Sequence, residues 1–254
     1  MALRRLLAIF AYFGAAVSIA APSAQARDAL IAVAANFADP MAALEVEFET
    51  QTDYDIDIVI GSTGKLHAQI VNGAPFDVFL AADDARPADL IDRSLALTEN
   101  RVTYAIGRLA LWTKTTDGAM GELEDILCKG DFRRLAIANP KLAPYGRAAL
   151  ETLQALGLSE QLSPKLVMGE NIGQAYAMTA TGAAEFGFVA QAQFQSDTGV
   201  RWNVPDHLHT PIRQDAVHLT RAKNNPAATA FMRFLASEDA AELLTQLGYL
   251  RPGA

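Results

Sequence analysis

The sequence predicts a two-lobed α/β protein, each lobe a mostly parallel sheet flanked by helices. Three observations predict it. Strand-length apolar runs alternate with stretches whose apolar residues recur at helical spacing, the rhythm of parallel sheets covered by helices. The number of such units exceeds what one short sheet usually carries. The 254 residues suffice for one large or two modest domains, and a composition 51% hydrophobic and 20% charged disfavours both a disordered chain and a multi-span membrane protein. Mean hydropathy is +0.12, in keeping with a soluble globular chain.

The first 26 residues are of another kind. Arg4 and Arg5 give a positive start, Leu6 to Ala21 is an apolar stretch, and Ala24-Gln25-Ala26 offers small residues for a signal peptidase. The stretch is shorter than the roughly 20 residues a bilayer-crossing helix needs. A secretory signal peptide over 1–26, cleaved after Ala26, is therefore expected, and with no cysteine following, no lipid anchor at that site. Cleavage removes two arginines and no acid, leaving 19 basic against 29 acidic residues.

The mature chain opens with a buried-strand pattern at Asp28 to Ala34, then helical spacing from Met41 to Phe48. A strand at Asp55 to Ile60, a helix at Lys65 to Val71, a strand at Asp77 to Ala81 and a helix at Pro87 to Arg93 follow, the last opened by a proline suited to a first turn. Arg101 to Trp112 reads as extended. Next come helix Glu122 to Cys128, strand Leu135 to Ala138, helix Arg147 to Leu156, strand Leu166 to Met168, helix Gly173 to Thr181 and strand Phe186 to Val189. Extended pieces at Arg201 to Val204 and Asp215 to Leu219 precede helices Ala227 to Leu235 and Ala240 to Leu247, which Gly248 stops. The expected division is a first lobe over 27–106 completed by 216–254, with 107–215 inserted as the second. The crossings near Tyr104 to Gly107 and Arg213 to Ala216 are the expected hinge, and the cleft between the lobes is the natural ligand site.

Four strand-to-helix turns carry the chemistry of an anion cradle: Ala35-Asn36-Phe37, Gly61-Ser62-Thr63-Gly64, Ala143-Pro144-Tyr145-Gly146 and Glu170-Asn171-Ile172-Gly173. A helix start leaves its first N–H groups without intrahelical acceptors and adds a fractional positive charge, and such turns lie at the carboxyl ends of strands, where ligands bind. Singly, Asn36, Ser62 or Thr63, and Asn171 read better as helix caps. Their recurrence, two turns to each lobe, is what suggests a small-anion site.

Together with Asn72-Gly73-Ala74-Pro75-Phe76-Asp77-Val78-Phe79, Ala81-Ala82-Asp83, Asn139-Pro140 and Thr181-Gly182-Ala183-Ala184-Glu185-Phe186-Gly187-Phe188-Val189-Ala190, these turns resemble, in order, the periplasmic molybdate-binding proteins of ABC transporters. The similarity spans about residues 28 to 250. It implies the type II periplasmic binding protein fold, a molybdate or tungstate ligand held in the interlobe cleft without direct protein–metal bonds, a membrane ABC permease as partner, a periplasmic monomer, and neither enzymatic activity nor a cofactor. It further implies an oxyanion shell of Asn36, Ser62, Thr63, Tyr145 and Ile172, the last two through their backbone N–H groups, which any non-proline residue supplies. Ala190 stands where some members place a tyrosine hydroxyl, so Asn36 is expected to take over that donor's part.

Neutral donors suit the ligand. Molybdate, tungstate and sulfate are fully ionised near pH 7, so every ligand oxygen is an acceptor. Phosphate keeps a proton and favours a site with an acceptor such as Asp. Asp39, Asp83 and Asp84 lie near the turns but are expected to be structural. A binding protein for sulfate, phosphate or a small organic acid keeps the same architecture.

Other readings fare worse. Ser62-Thr63-Gly64-Lys65 matches the S-x-x-K of serine β-lactamases, but no Ser-Asp-Asn exists and Lys114-Thr115 is followed by Thr116. A P-loop fails because Leu66 occupies the place of the magnesium-binding hydroxyl. An acidic balance of 29 against 21 argues against nucleic acid. His207 and His209 are expected in a loop or at the surface rather than on a metal, Trp112 and Trp202 in packing, and Cys128 as a buried apolar thiol.

Overall fold

A computed structural model of the chain describes residues 27–115, 123–193 and 199–253. The expected signal peptide and Glu122 lie outside the described residues.

Among the described residues, ten strands form two five-stranded sheets. The first contains β1 (Ala29–Ala34), β2 (Ile56–Gly61), β3 (Val78–Leu80), β4 (Val102–Gly107) and β10 (Ile212–His218), in the order β2-β1-β3-β10-β4. The second contains β5 (Leu109–Thr113), β6 (Leu135–Ala138), β7 (Leu166–Gly169), β8 (Phe186–Ala190) and β9 (Val200–Asn203), in the order β7-β6-β8-β5-β9. In each sheet three neighbours run parallel and one inserted strand, β10 or β5, runs against both of its partners. The halves built on these sheets are termed lobe I and lobe II.

The extended stretch at 101–112 proves to be two strands, β4 and β5, that part at Arg108 and join different sheets. The return crossing is the segment between β9 and β10. Because a strand is held along its whole ladder, β4 stays with lobe I to Gly107 and β10 from Ile212, so the divisions expected at 106/107 and 215/216 fall inside these two strands.

The helices that position the site are α1 (Ala38–Gln51), α2 (Thr63–Val71), α3 (Ala85–Asp92), α4 (Leu123–Lys129), α5 (Pro144–Ala155), the short α6 (Ser159–Leu162) and α7 (Ile172–Ala180). α8 (Pro226–Leu235) and α9 (Glu238–Gln246) return to lobe I. α5 begins three residues earlier than its apolar spacing suggests, because Pro144 has the fixed φ of a first helical residue and lacks the N–H a helix start leaves unused. Asn171 accepts the Gln174 N–H and so starts α7, and Asn225 and Ser237 do the same for α8 and α9. Among the described residues no helix is long and apolar enough to cross a membrane.

Both faces of the first sheet are covered. Phe37, Met41, Leu44, Phe48 and Phe231 pack on one face and Leu66, Ile70, Phe79 and Leu90 on the other, all nearly inaccessible. Each contributes roughly 1.5–3 kcal/mol by leaving water. Lobe II repeats the plan around Leu135, Ile137, Leu153 and Phe188. Trp112 is buried and stacks on Tyr176 with centroids 4.9 Å apart. Cys128, expected inside, is exposed. α4 buries Leu123 and Leu127, four residues apart on one stripe, and the next residue lies about 100° further round the helix.

Candidate functional site

Parallel register brings the turns together. Ala34 pairs with Gly61, so the turns leaving β1 and β2 start side by side; Ala138 pairs with Gly169 and does the same for those leaving β6 and β7. The two pairs face each other across the lobes. Between them lies a small cavity, about 190 Å³ of space partly open to solvent, lined by Ala35, Asn36, Ser62, Thr63, Tyr145 and Ile172 with Ala82, Ala143, Pro144 and Asn171. All five expected site residues border it, and no carboxylate does. The enclosed part measures only about 10 Å³, far below the roughly 300–1,000 Å³ of drug-sized pockets, so the space admits only a very small ligand.

The donors are of two sorts. Ser62 is 1% exposed, and its Oγ has no hydrogen-bond partner. Thr63 Oγ1 accepts the Ala82 N–H at 3.2 Å, which leaves the hydroxyl proton to donate elsewhere. From lobe II, Tyr145 and Ile172 occupy the first turns of α5 and α7 and, among the described residues, their N–H groups meet no acceptor, whereas Gly146 and Gln174 donate to Ala143 and Asn171. The starts of α2, α5 and α7 thus aim three helix dipoles at one spot, a positive field inside an acidic chain.

Asn36 is placed otherwise than as a plain donor. Its side-chain amide donates to Gln214 Oε1 at 2.8 Å and to the Tyr249 hydroxyl at 3.1 Å, so both amide hydrogens are engaged below the cavity. Tyr249 returns its proton to the Asn36 carbonyl at 3.0 Å. Gln214 Nε2 donates to the Tyr145 hydroxyl at 3.4 Å, and the Tyr104 O–H has the Ala81 carbonyl at 2.9 Å and Gln214 Oε1 at 3.2 Å as acceptors. Burial pushes all three phenols above the ordinary tyrosine range, most strongly Tyr104 and Tyr145, so the layer stays neutral. Sequence reasoning missed it: β10 reads Ile-Arg-Gln-Asp-Ala-Val-His, and nothing in that run distinguishes the buried Gln214 and Asp215 from the exposed Arg213.

The lobes are closed over the cavity. Gly64 N–H donates to the Leu142 carbonyl at 2.8 Å, Arg86 Nη2 to the Lys141 carbonyl at 3.0 Å, and Lys65 Nζ lies 2.9 Å from Glu170 Oε1. A Cβ on Gly64 would lie 3.1 Å from both the Leu142 backbone and Arg86, so glycine eases this close approach. Asp83 is buried and paired with Arg86. Lys65, being held by Glu170, makes no hydrogen bond to Ser62 Oγ, so the S-x-x-K residues are not arranged for nucleophilic attack. Of the histidines, His209 is buried in the loop before β10 and bonds to the Thr210 carbonyl, and no metal-holding cluster occurs among the described residues.

Comparison with known proteins places this geometry. Residues 29–250 match the family model described as bacterial extracellular solute-binding protein. The chain is 46% identical over 231 residues to the molybdate-binding protein ModA of Azotobacter vinelandii, covering 89% of this chain and 91% of that protein. It is 41% identical to the Rhodobacter capsulatus protein of the same name, with 92% of each covered. The structure of an Azotobacter vinelandii periplasmic molybdate-binding protein superposes with a TM-score of 0.85 at 36% identity, covering 88% of this chain and 99% of that one.

Proposed function

This chain belongs to the bacterial extracellular solute-binding proteins, among their molybdate-binding members, and from that premise we propose that its interlobe cavity captures molybdate, with tungstate as a near-isosteric second ligand, for delivery to a membrane ABC permease. The shell is Ser62 and Thr63 through hydroxyls, Tyr145 and Ile172 through backbone N–H groups, and Asn36 as the residue that shapes the turn beside them. The protein acts as a periplasmic monomer released by cleavage after Ala26.

The observation that carries this reading is the Ser62 hydroxyl. A buried hydroxyl with no partner costs free energy, and such groups in native structures ask for an explanation. Here the explanation is a missing acceptor: free donors from both lobes converge on the same small space. Each hydrogen bond to a charged ligand contributes roughly 1.5–3 kcal/mol, so four contribute about 6–12 kcal/mol, a range that spans the roughly −8 kcal/mol of a micromolar complex. A cradle without a carboxylate favours a fully ionised oxyanion over hydrogen phosphate, whose proton has only weakly accepting hydroxyls to meet.

Titration calorimetry with molybdate, tungstate, sulfate and phosphate tests the reading. Molybdate and tungstate should bind tightly and raise the thermal midpoint, sulfate should bind more weakly, and phosphate least. No heat and no thermal upshift with either molybdate or tungstate would overturn it.

A further inference from the structure

Gln214 sits at the centre of β10, where pairing with β4 slips by one residue between Gln214 and Asp215. Asp215 is accounted for by Arg101 and Thr103 of the same lobe. Gln214 instead reaches across: one end of its amide accepts from Asn36, in the first turn of lobe I, and the other donates to the phenol of Tyr145, in the first turn of α5 in lobe II. Tyr145 is the residue whose backbone N–H opens on the cavity. Its side chain is a rigid ring with only two torsions, so holding the hydroxyl narrows where the backbone N–H can lie.

Resting on the molybdate reading above, we propose that Gln214 is a positioning residue that sets the spacing between the two halves of the oxyanion cradle, through Asn36 and the Tyr145 hydroxyl, and thereby its discrimination by oxyanion size. The contact is shut off from bulk solvent: Gln214, Tyr145 and Asn36 are 0%, 1% and 2% exposed. The contact is also built for closeness. A Cβ on Gly107 would fall 2.2 Å from the Tyr145 hydroxyl and 2.7 Å from Gln214 Nε2, so the hinge strand carries glycine where phenol and amide meet. A spacing held by a buried amide is stiff, and a stiff cradle fitted to the larger ion leaves a smaller one short of some donors.

Tyr145→Phe, Gln214→Leu and the double variant separate this from a stabilising role, since Tyr145→Phe keeps the ring and the N–H donor. Calorimetry with molybdate and sulfate is compared with the thermal midpoint of each ligand-free protein. Each single variant should weaken molybdate about 5- to 10-fold and sulfate less than about 2-fold, and the double variant should be no worse than the weaker single. Equal losses for both anions, or losses that multiply in the double variant, would overturn the proposal. Should Gln214→Leu fail to fold, the molybdate-to-sulfate ratio of Tyr145→Phe decides alone. Wild-type protein that binds neither anion would instead sink the molybdate reading, and that is visible before any variant is made.

Discussion

The two lobes share a plan, three parallel strands with turns at their carboxyl ends, yet they furnish the cavity differently. Lobe I brings side chains, the hydroxyls of Ser62 and Thr63 beside Asn36. Lobe II brings the main chain, the N–H groups of Tyr145 and Ile172 at two helix starts. A side-chain donor is lost with one substitution to alanine, while a backbone donor survives every substitution but proline. Specific recognition can therefore rest on residues whose own chemistry says nothing about the ligand.

The sharpest way to break that contrast is Ile172→Pro. Asn171 has φ −143° and ψ 177°, the extended region favoured before proline, and Ile172 is the first helical residue, where proline is well accommodated. Lobe II already has a proline at the corresponding place in α5, Pro144. The substitution should lower molybdate affinity about 100-fold by deleting one charge-assisted hydrogen bond, whereas Ile172→Ala, which keeps the N–H, should lose stability by about 2–4 kcal/mol and change affinity less than about threefold. If the alanine variant binds as poorly as the proline one, lobe II recognises the ion through side-chain packing and the contrast is wrong.

In lobe I the same logic runs through hydroxyls, with an expected loss of about 10-fold or more for either Thr63→Ala or Ser62→Ala. Stability separates them. Thr63→Ala also strips the Ala82 N–H of its acceptor and should lower the midpoint of the ligand-free protein. Ser62→Ala removes a hydroxyl that has no partner and should hold or raise it. A stabilised Ser62→Ala protein that binds poorly would mark Ser62 as kept for the ligand; undiminished affinity would remove it from the shell.

The lobes also differ in how much of this was legible in the sequence. The alternation of strand and helix patterns was enough for the βα units, because burial imposes its period directly on the residues. Ser62 and Thr63 stood out because a hydroxyl pair flanked by glycines after a strand is chemically conspicuous. Tyr145 and Ile172 did not, since their role belongs to their place in a helix start, and only resemblance to other proteins brought them in. Gln214 and Tyr249 were invisible: Asn36 meets them across 178 and 213 residues of chain. The crossing within the 101–112 stretch was legible, expected near Tyr104 to Gly107 and found at Arg108, but the division into β4 and β5 with partners in different sheets was not, because sheet membership is decided by residues far away in sequence. Cys128 was misplaced because a seven-residue helix is too short for spacing to fix its buried face.

The smallest expected effect lies at the rim, where the contrast is one of charge. Lys65 of lobe I and Glu170 of lobe II are 53% and 39% exposed at the side chain, so their pairing is screened by solvent. Two roles are open to such a pair. As a latch, either Lys65→Met or Glu170→Gln weakens the closed state, and both speed dissociation. As a gate on the field, they act in opposite directions: Lys65→Met takes away a positive charge that draws the dianion in, and Glu170→Gln takes away a negative one that repels it. Exposed charges influence association more than dissociation, so stopped-flow binding should show Lys65→Met about two- to threefold slower and Glu170→Gln faster by a similar factor at low ionic strength. The difference should vanish by about 0.5 M salt, where the Debye length is only a few ångströms. Faster dissociation in both variants, with association unchanged, would assign the pair to holding the lobes together, alongside the Gly64 to Leu142 backbone bond.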